Sequence, residues 1–187
     1  MLPMKLLLKR LSNEEEELRK ESISFSKIDY YVGEKPKKIE VFTVYGPEKV
    51  PVVRKYTVKF VARGFVKKGY SIVPQWDHVA SIYILRHYPI PNPKDRLGAP
   101  VRITWESDIF HPNIAPGPLY GGNGVVCWGI LKKWLKTITL LQLIRGLQML
   151  VQNPNPDDPI HNPPICLEAA EYFKKYKPVS WVIRDKK

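Results

Sequence analysis

Cysteine is nearly missing from these 187 residues: there are two, Cys127 and Cys166, and neither sits in a C-x-x-C spacing. Two cysteines cannot build the disulfide framework of a small secreted domain, and without a spaced second pair they do not make a zinc-ligand set. A reducing, cytoplasmic compartment is the expectation, with no metal. Long apolar runs are missing too. The start, MLPMKLLLKRL, looks basic and then apolar, but its apolar stretch at residues 6–8 is broken by Lys9 and Arg10, too short for a secretory leader. The most apolar longer segment, residues 138–151, carries Gln142, Arg145 and Gln148 and falls short of the ~20 residues that cross a bilayer. No membrane partner is expected.

Negative charge is the third shortage. Lys plus Arg number 30 against 18 Asp plus Glu, a formal net charge of +12, while 44% of the residues are apolar. That apolar share excludes a disordered basic tail, and the length suits one domain spanning residues 1–187. The lysines are scattered in pairs such as Lys67 and Lys68 or Lys132 and Lys133, with no Arg-rich block. A solvated basic surface is expected, and nucleic acid is not an expected partner, because no reading motif and no basic–aromatic alternation stands out.

Residues 4–20 read as an amphipathic helix carrying Leu7, Leu8, Leu11 and Leu18, with the acidic run at residues 14–17 read as a solvated face. Residues 22–105 alternate β-branched and aromatic residues with polar ones in SISFSKIDYYV, KIEVFTVYG, KYTVKFVARGFV, HVASIYILRHY and VRITW. This pattern predicts an antiparallel, four-stranded meander in which one candidate is a long hairpin arm or an insertion. Residues 107–136 hold three prolines and five glycines with little periodicity, a long ordered loop of the kind that tends to carry function. Helices are expected from Thr139 to Gln152 and from Ile165 to Tyr176, parted by the proline-rich NPNPDDPI. The fold class is therefore α+β.

Read by itself, Cys127 in GGNGVVCWGIL is weak evidence, since a cysteine in apolar company is more often a small buried hydrophobe than a nucleophile. Four histidines, His78, His87, His111 and His161, are candidate bases, and none pairs with it on sequence grounds. The order of several short motifs says more: FHPNI at residues 110–114, GVVCWGIL at 124–131, Trp134, TITLLQLIRGLQML, NPNPDDPI at 153–160 and LEAAEYFKKY at 167–176. In this order they resemble the ubiquitin-conjugating enzymes, densely from Tyr88 to Tyr176, and LKR at residues 8–10 is similar to the basic first helix of that family.

The resemblance implies a transferase. Cys127 would accept a ubiquitin-like modifier from an activating enzyme as a thioester and pass it to a lysine of a protein substrate with a ligase, no cofactor being needed. It implies oxyanion stabilisation or loop support for Asn113, lysine positioning or deprotonation for Asp158, structural roles for His111 and Pro112, and partner contacts for Lys9, Arg10 and Ile90. Cys166 matches no motif and reads as packing or incidental surface. The rival reading is an inactive module of the same fold that binds a modifier or a partner protein.

Departures from the family pattern are specific. Asn113 and Cys127 lie 14 positions apart, with residues 115–123 reading as an insertion. Phe110 stands where a tyrosine is common, and Trp128 and Gly129 replace the usual pair after the cysteine. PNPKDRLGAP follows Ile90, Leu135, Lys136 and Thr137 follow Trp134, and residues 61–77 look like extra sheet material. These features suggest a divergent member, from an archaeal or bacterial ubiquitin-like system.

Overall fold

The computed structural model describes residues 1–176, so residues 177–187 of the expected domain lie outside the described residues. The chain opens with helix α1, Met4–Lys20, which has the limits its periodicity predicts. Leu7, Leu11 and Leu18 are fully buried along one stripe, each contributing about 1.5–3 kcal/mol of burial. Ser22, with φ 56°, ends the helix: its N–H reaches Arg19 O at 3.0 Å and the Ile23 N–H reaches Leu18 O at 2.9 Å, satisfying two carbonyls that the helix leaves unpaired.

Six strands follow: β1 (Ser24–Asp29), β2 (Tyr31–Val32), β3 (Lys35–Thr43), β4 (Gly46–Lys68), β5 (Ser71–Leu85) and β6 (Val101–Trp105). β3, β4, β5 and β6 form the four-stranded antiparallel meander, and β2 extends it beyond β3. β1 is an addition, pairing with the middle of β4 from Ser24↔Lys59 to Asp29↔Arg54. β3 pairs with the start of β4, from Thr43↔Gly46 to Lys37↔Val52, so β1 and β3 lie end to end along one edge of the 23-residue β4. Residues 61–77 are the outer part of the β4–β5 hairpin, paired as far as Lys68↔Ser71. This is the long arm expected from the sequence.

Helix α2, Leu140–Gln152, starts at a reciprocal cap in which Thr139 accepts from the Gln142 N–H and Gln142 accepts from the Thr139 N–H. Its buried face is Leu140, Leu143, Ile144, Leu147 and Val151, and it shares one continuous core with α1 and the sheet. Helix α3, Ile165–Lys175, packs Phe173 against Phe65 of the hairpin arm and against Phe110, with ring centroids 5.7 and 6.0 Å apart.

The acidic run corrects one expectation. Glu16 and Glu17 are exposed, but Glu14 and Glu15 are only 4% and 2% exposed. Glu14 accepts hydrogen bonds from Tyr88 Oη (2.7 Å), the Leu140 N–H (2.9 Å) and Arg10 Nε (2.7 Å), joining α1 to the start of α2. Glu15 accepts from Arg54 (2.9 Å), Tyr56 (2.7 Å) and Lys27 (2.7 Å), joining α1 to β1 and β4. Buried charge persists only with such partners.

Candidate active site around Cys127

β6 runs into the loop that carries Phe110, His111, Pro112 and Asn113, all buried. Phe110 lies among Tyr172 and Phe173 of α3, an apolar setting with no need of a phenol. His111 is held at both ring nitrogens. Nδ1 accepts from the Asn113 N–H at 3.0 Å, so Nε2 carries the proton and donates to Leu150 O at 3.0 Å, at the end of α2. Burial pushes its imidazolium down to about 3, with the Leu150 carbonyl opposing and His78 adding to the fall. A second proton would meet the Asn113 N–H, and in this geometry both ring nitrogens are occupied in tying the loop to the end of α2.

That depression has a pH consequence. The unfolded chain takes up a proton at His111 near pH 6.5 and the folded chain refuses it until about 3, so the stabilisation is complete above 6.5 and is lost as pH falls. The slope is about 1.4 kcal/mol per pH unit across that window. In His111→Gln the fall in unfolding free energy from urea titrations between pH 6.5 and 4.5 should be shallower than in the native protein by about that slope. Equal falls in both proteins would show that His111 is not the titrating group.

Asn113 uses its whole amide group. Nδ2 donates to Asn155 O (3.0 Å) and Asp158 O (2.8 Å), while Oδ1 accepts from the Asn155 N–H (2.7 Å). The Pro112 carbonyl takes the Ile160 N–H at 2.8 Å. The proline-rich loop after α2 is thereby fastened to the loop after β6. Of the two roles the resemblance implies for Asn113, the resting geometry displays loop support.

Cys127 lies beside Asn113 although the two are 14 positions apart, its N–H donating to Asn113 O at 2.9 Å. The isolated bridges Ile114↔Val126 and Thr104↔Val125 continue this pairing, and the Ala115 N–H to Val125 O and Gly124 N–H to Pro116 O bonds extend it, so that of residues 115–123 only 117–123 loop out. The loop is tight. A side chain at Gly122 would stand 2.0 Å from Pro116 O, and Gly124, at φ +66°, lies close against Trp105 O. Leu119 and Tyr120, on a single 3-10 turn at Pro118–Tyr120, are exposed at its tip.

The thiol of Cys127 is half-buried, and burial raises its pKa, the Asp158 carboxylate raises it further and Lys132 opposes both. Asp158 is exposed at the rim, its backbone held by Asn113. A thiol raised in this way keeps its proton at neutral pH and is guarded against indiscriminate oxidation. Cys166 is different: it is fully buried, its Sγ lies 3.8 Å from Ile114 O, and burial pushes it up to about 12. It is a packing residue.

Trp128, whose packing role the sequence does not announce, lies against α2 where Gly146 leaves room. A methyl at Gly146 would stand 2.5 Å from the indole Cη2. Helix propensity favours alanine by about 1 kcal/mol, but overpacking of this kind costs about 1–3 kcal/mol. Gly146→Ala should therefore lower the melting temperature. A melting temperature raised by the substitution would show that the indole moves aside freely.

The partner-contact candidates meet in part in a groove along α1. Arg10, Ile90, Pro89, Lys136 and Thr137 line one groove, together with Glu14 and Glu17. Trp134 Nε1 donates to Pro89 O at 2.9 Å, tying the loop after Tyr88 to the loop after Trp134. Arg10 is engaged internally, with its guanidinium 5.5 Å from the centre of the Tyr88 ring, whereas Lys9 is exposed and lies outside that lining.

A sequence model of the family described as "Ubiquitin-conjugating enzyme" matches residues 77–178, more than half of the chain. The chain belongs to the ubiquitin-conjugating enzyme family. Among curated proteins it is 35% identical over 95 residues to "Sumo-conjugating enzyme ubc9" of Dictyostelium discoideum, covering 48% of this chain and 56% of that protein. It is 34% identical over 84 residues to "SUMO-conjugating enzyme UBC9" of Caenorhabditis elegans, covering 42% and 47%. The chain thus spans about half the length of the curated relatives it matches. Among solved structures, "S. cerevisiae Ubc12" superimposes with a TM-score of 0.52 at 22% identity, covering 88% of this chain and 73% of that one, a likeness of fold. No helix among the described residues is long and apolar enough to cross a membrane.

Proposed function

We propose that this chain is a conjugating transferase for a ubiquitin-like modifier, with Cys127 as the acyl carrier and residues 1–187 acting as one domain. The observation that carries the reading is the 2.9 Å hydrogen bond from the Cys127 N–H to Asn113 O, within a frame that also fastens the Asp158 backbone to the Asn113 amide. Cysteine, amide and carboxylate meet there from three separate stretches of sequence.

The chemistry takes two exchanges. Cys127 loses its proton and attacks the thioester carbonyl on an activating enzyme, whose own sulfur leaves as a thiol. The amine of a target lysine then attacks the new thioester, an isopeptide bond forms, the C–S bond breaks and Cys127 Sγ regains a proton. A lysine is protonated at neutral pH, and Asp158, at the rim beside Cys127, is the acceptor in place to orient it and take its proton. A ligase would bring acceptor and carrier together through the groove lined by Arg10, Ile90 and Lys136. The names of the matched relatives make a SUMO-type modifier the first to test.

The test is non-reducing intact-mass analysis after incubation with ATP, an activating enzyme and the modifier. A thiol-labile adduct should form on the native protein and on Cys166→Ser, while Cys127→Ser should give at most an ester-linked adduct that resists thiols. No adduct on the native protein, with the activating enzyme shown to be charged, would overturn the reading.

A further inference from the structure

Cys127 shares its groove with one other titratable side chain. The groove is lined by the tip of the β3–β4 hairpin, by Asn123 and Val125, and by residues 159–162 of the proline-rich loop. Of the residues lining it, only Cys127 and His161 are titratable. His161 is exposed, and among the described residues its ring has no hydrogen-bond partner. Of the remaining histidines, His78 and His111 are buried and His87 lies just past the end of β5, and none of them lines this groove.

The chain holds His161 at this wall from both sides. The Ile160 N–H donates to Pro112 O at 2.8 Å, and Asn162 O accepts from Asn123 Nδ2 at 3.4 Å. Asn123 Oδ1 in turn accepts from the Val125 N–H at 3.1 Å, two residues before Cys127. Ile160 belongs to the same apolar cluster as Val125, against which Cys127 also packs. The residues flanking His161 thus touch the residues leading into Cys127, and the two side chains open on one space. The segment around Cys127 offers no substitute. Residues 109–131 contain no Asp, Glu, Lys or Arg, and their single histidine, His111, is engaged at both ring nitrogens.

We propose that His161 is the proton acceptor of Cys127, taking the thiol proton as the sulfur attacks and supplying one when the sulfur leaves. The inference rests on the reading of Cys127 as the acyl carrier. The thiolate is the nucleophile, and burial together with Asp158 keeps this thiol protonated. A general base works across a hydrogen bond or one intervening water, with a basicity near the operating pH. As a class, imidazoles at about 6.5 meet that condition better than carboxylates at about 4. The charged groups that act on the thiol are the Asp158 carboxylate, which favours an imidazolium in the groove, and the Lys132 ammonium, which opposes it. In charging, the Sγ proton passes to the imidazole and Sγ bonds to the acyl carbon. The bond from that carbon to the activating enzyme's sulfur breaks, and that sulfur takes the proton. In discharge, Asp158 takes the first proton of the lysine ammonium. After attack the nitrogen gives a second proton to His161, the C–S bond breaks and Cys127 Sγ receives that proton.

The experiment is rapid-quench measurement of modifier transfer from the charged activating enzyme to Cys127, at neutral pH and over a range of concentrations of this protein. His161→Ala and His161→Gln should each lower the maximal transfer rate by about a hundredfold and leave the half-saturating concentration within about twofold of native. Added imidazole should speed His161→Ala by about tenfold and leave the native protein unchanged. A loss caused only by altered packing would not respond to imidazole. Variants that charge within about threefold of the native rate, or a slowed His161→Ala that imidazole does not rescue, would overturn the proton role while leaving the carrier role intact. Failure of the native protein to charge at all, with the activating enzyme shown to be loaded, would overturn the carrier reading, and this inference with it.

Discussion

Asn113→Ala is expected to slow discharge of the thioester to lysine by about a hundredfold while reducing thioester formation much less. The substitution deletes three hydrogen bonds at once, to Asn155 O, Asp158 O and the Asn155 N–H. Backbone groups left unpaired in a partly buried loop cost about 1–3 kcal/mol each, enough to free the segment that carries Asp158. Formation of the thioester needs Cys127, which keeps its own backbone bond to Asn113 O whatever the side chain. Asn113→Asp should be no better, because its carboxylate can accept from the Asn155 N–H but would face two carbonyl oxygens it cannot serve. Combining Asn113→Ala with Asp158→Ala separates the two roles of the amide. If Asn113 acts by holding Asp158, the double variant is little slower than the slower single one; if it stabilises the oxyanion directly, the two losses multiply. Equal loss of charging and discharge in a folded Asn113→Ala protein would refute both roles.

Glu15→Ala should destabilise the fold by about 3–5 kcal/mol, the usual result of removing one partner from a buried ion pair, and lower the melting temperature by ~10 °C. The side chain accepts from Arg54, Tyr56 and Lys27, and Arg54 and Tyr56 are themselves buried. Its loss leaves a guanidinium and a phenol short of an acceptor between α1 and β4. Burial alone would raise the Glu15 carboxyl, but hydrogen bonds from Lys27 and Tyr56 and the charges of Lys27 and Arg54 bring it below the ordinary carboxylate value. A lowered acid contributes stability that is fully present above its unfolded value and is lost as pH falls through the folded one. Acid unfolding should therefore be less steep in Glu15→Gln than in the native protein. A melting temperature within ~2 °C of native for Glu15→Ala would show that the cluster contributes little.

What the chain reveals when read in order divides along a physical line. Features that depend on near neighbours are legible: α1 begins and ends where its leucine spacing says, α2 starts at the Thr139–Gln142 cap, and the long arm follows from continued alternation on both sides of Gly69. The motif order singles out Cys127, Asn113 and Asp158 because each is marked by its own local neighbours. The solvated reading of Glu14 and Glu15 failed for the complementary reason. A run of four glutamates shows its charge but not its partners, and Tyr88 and Arg54 lie 74 and 39 positions away.

By itself, then, the sequence determined the α+β class, the helices and the strand meander, which follow from local periodicity, while the nucleophile candidate came from the resemblance that the ordered motifs carry. Only the tertiary structure decided which acidic residues are buried, that residues 117–123 bulge out without parting Cys127 from Asn113, and that the Asn113 amide is engaged in holding the next loop. It also decided that Gly146 makes room for Trp128 and that the β3–β4 hairpin tip shares a groove with Cys127. Each of these depends on groups brought together by folding across long stretches of chain, a relation that neither spacing nor composition encodes.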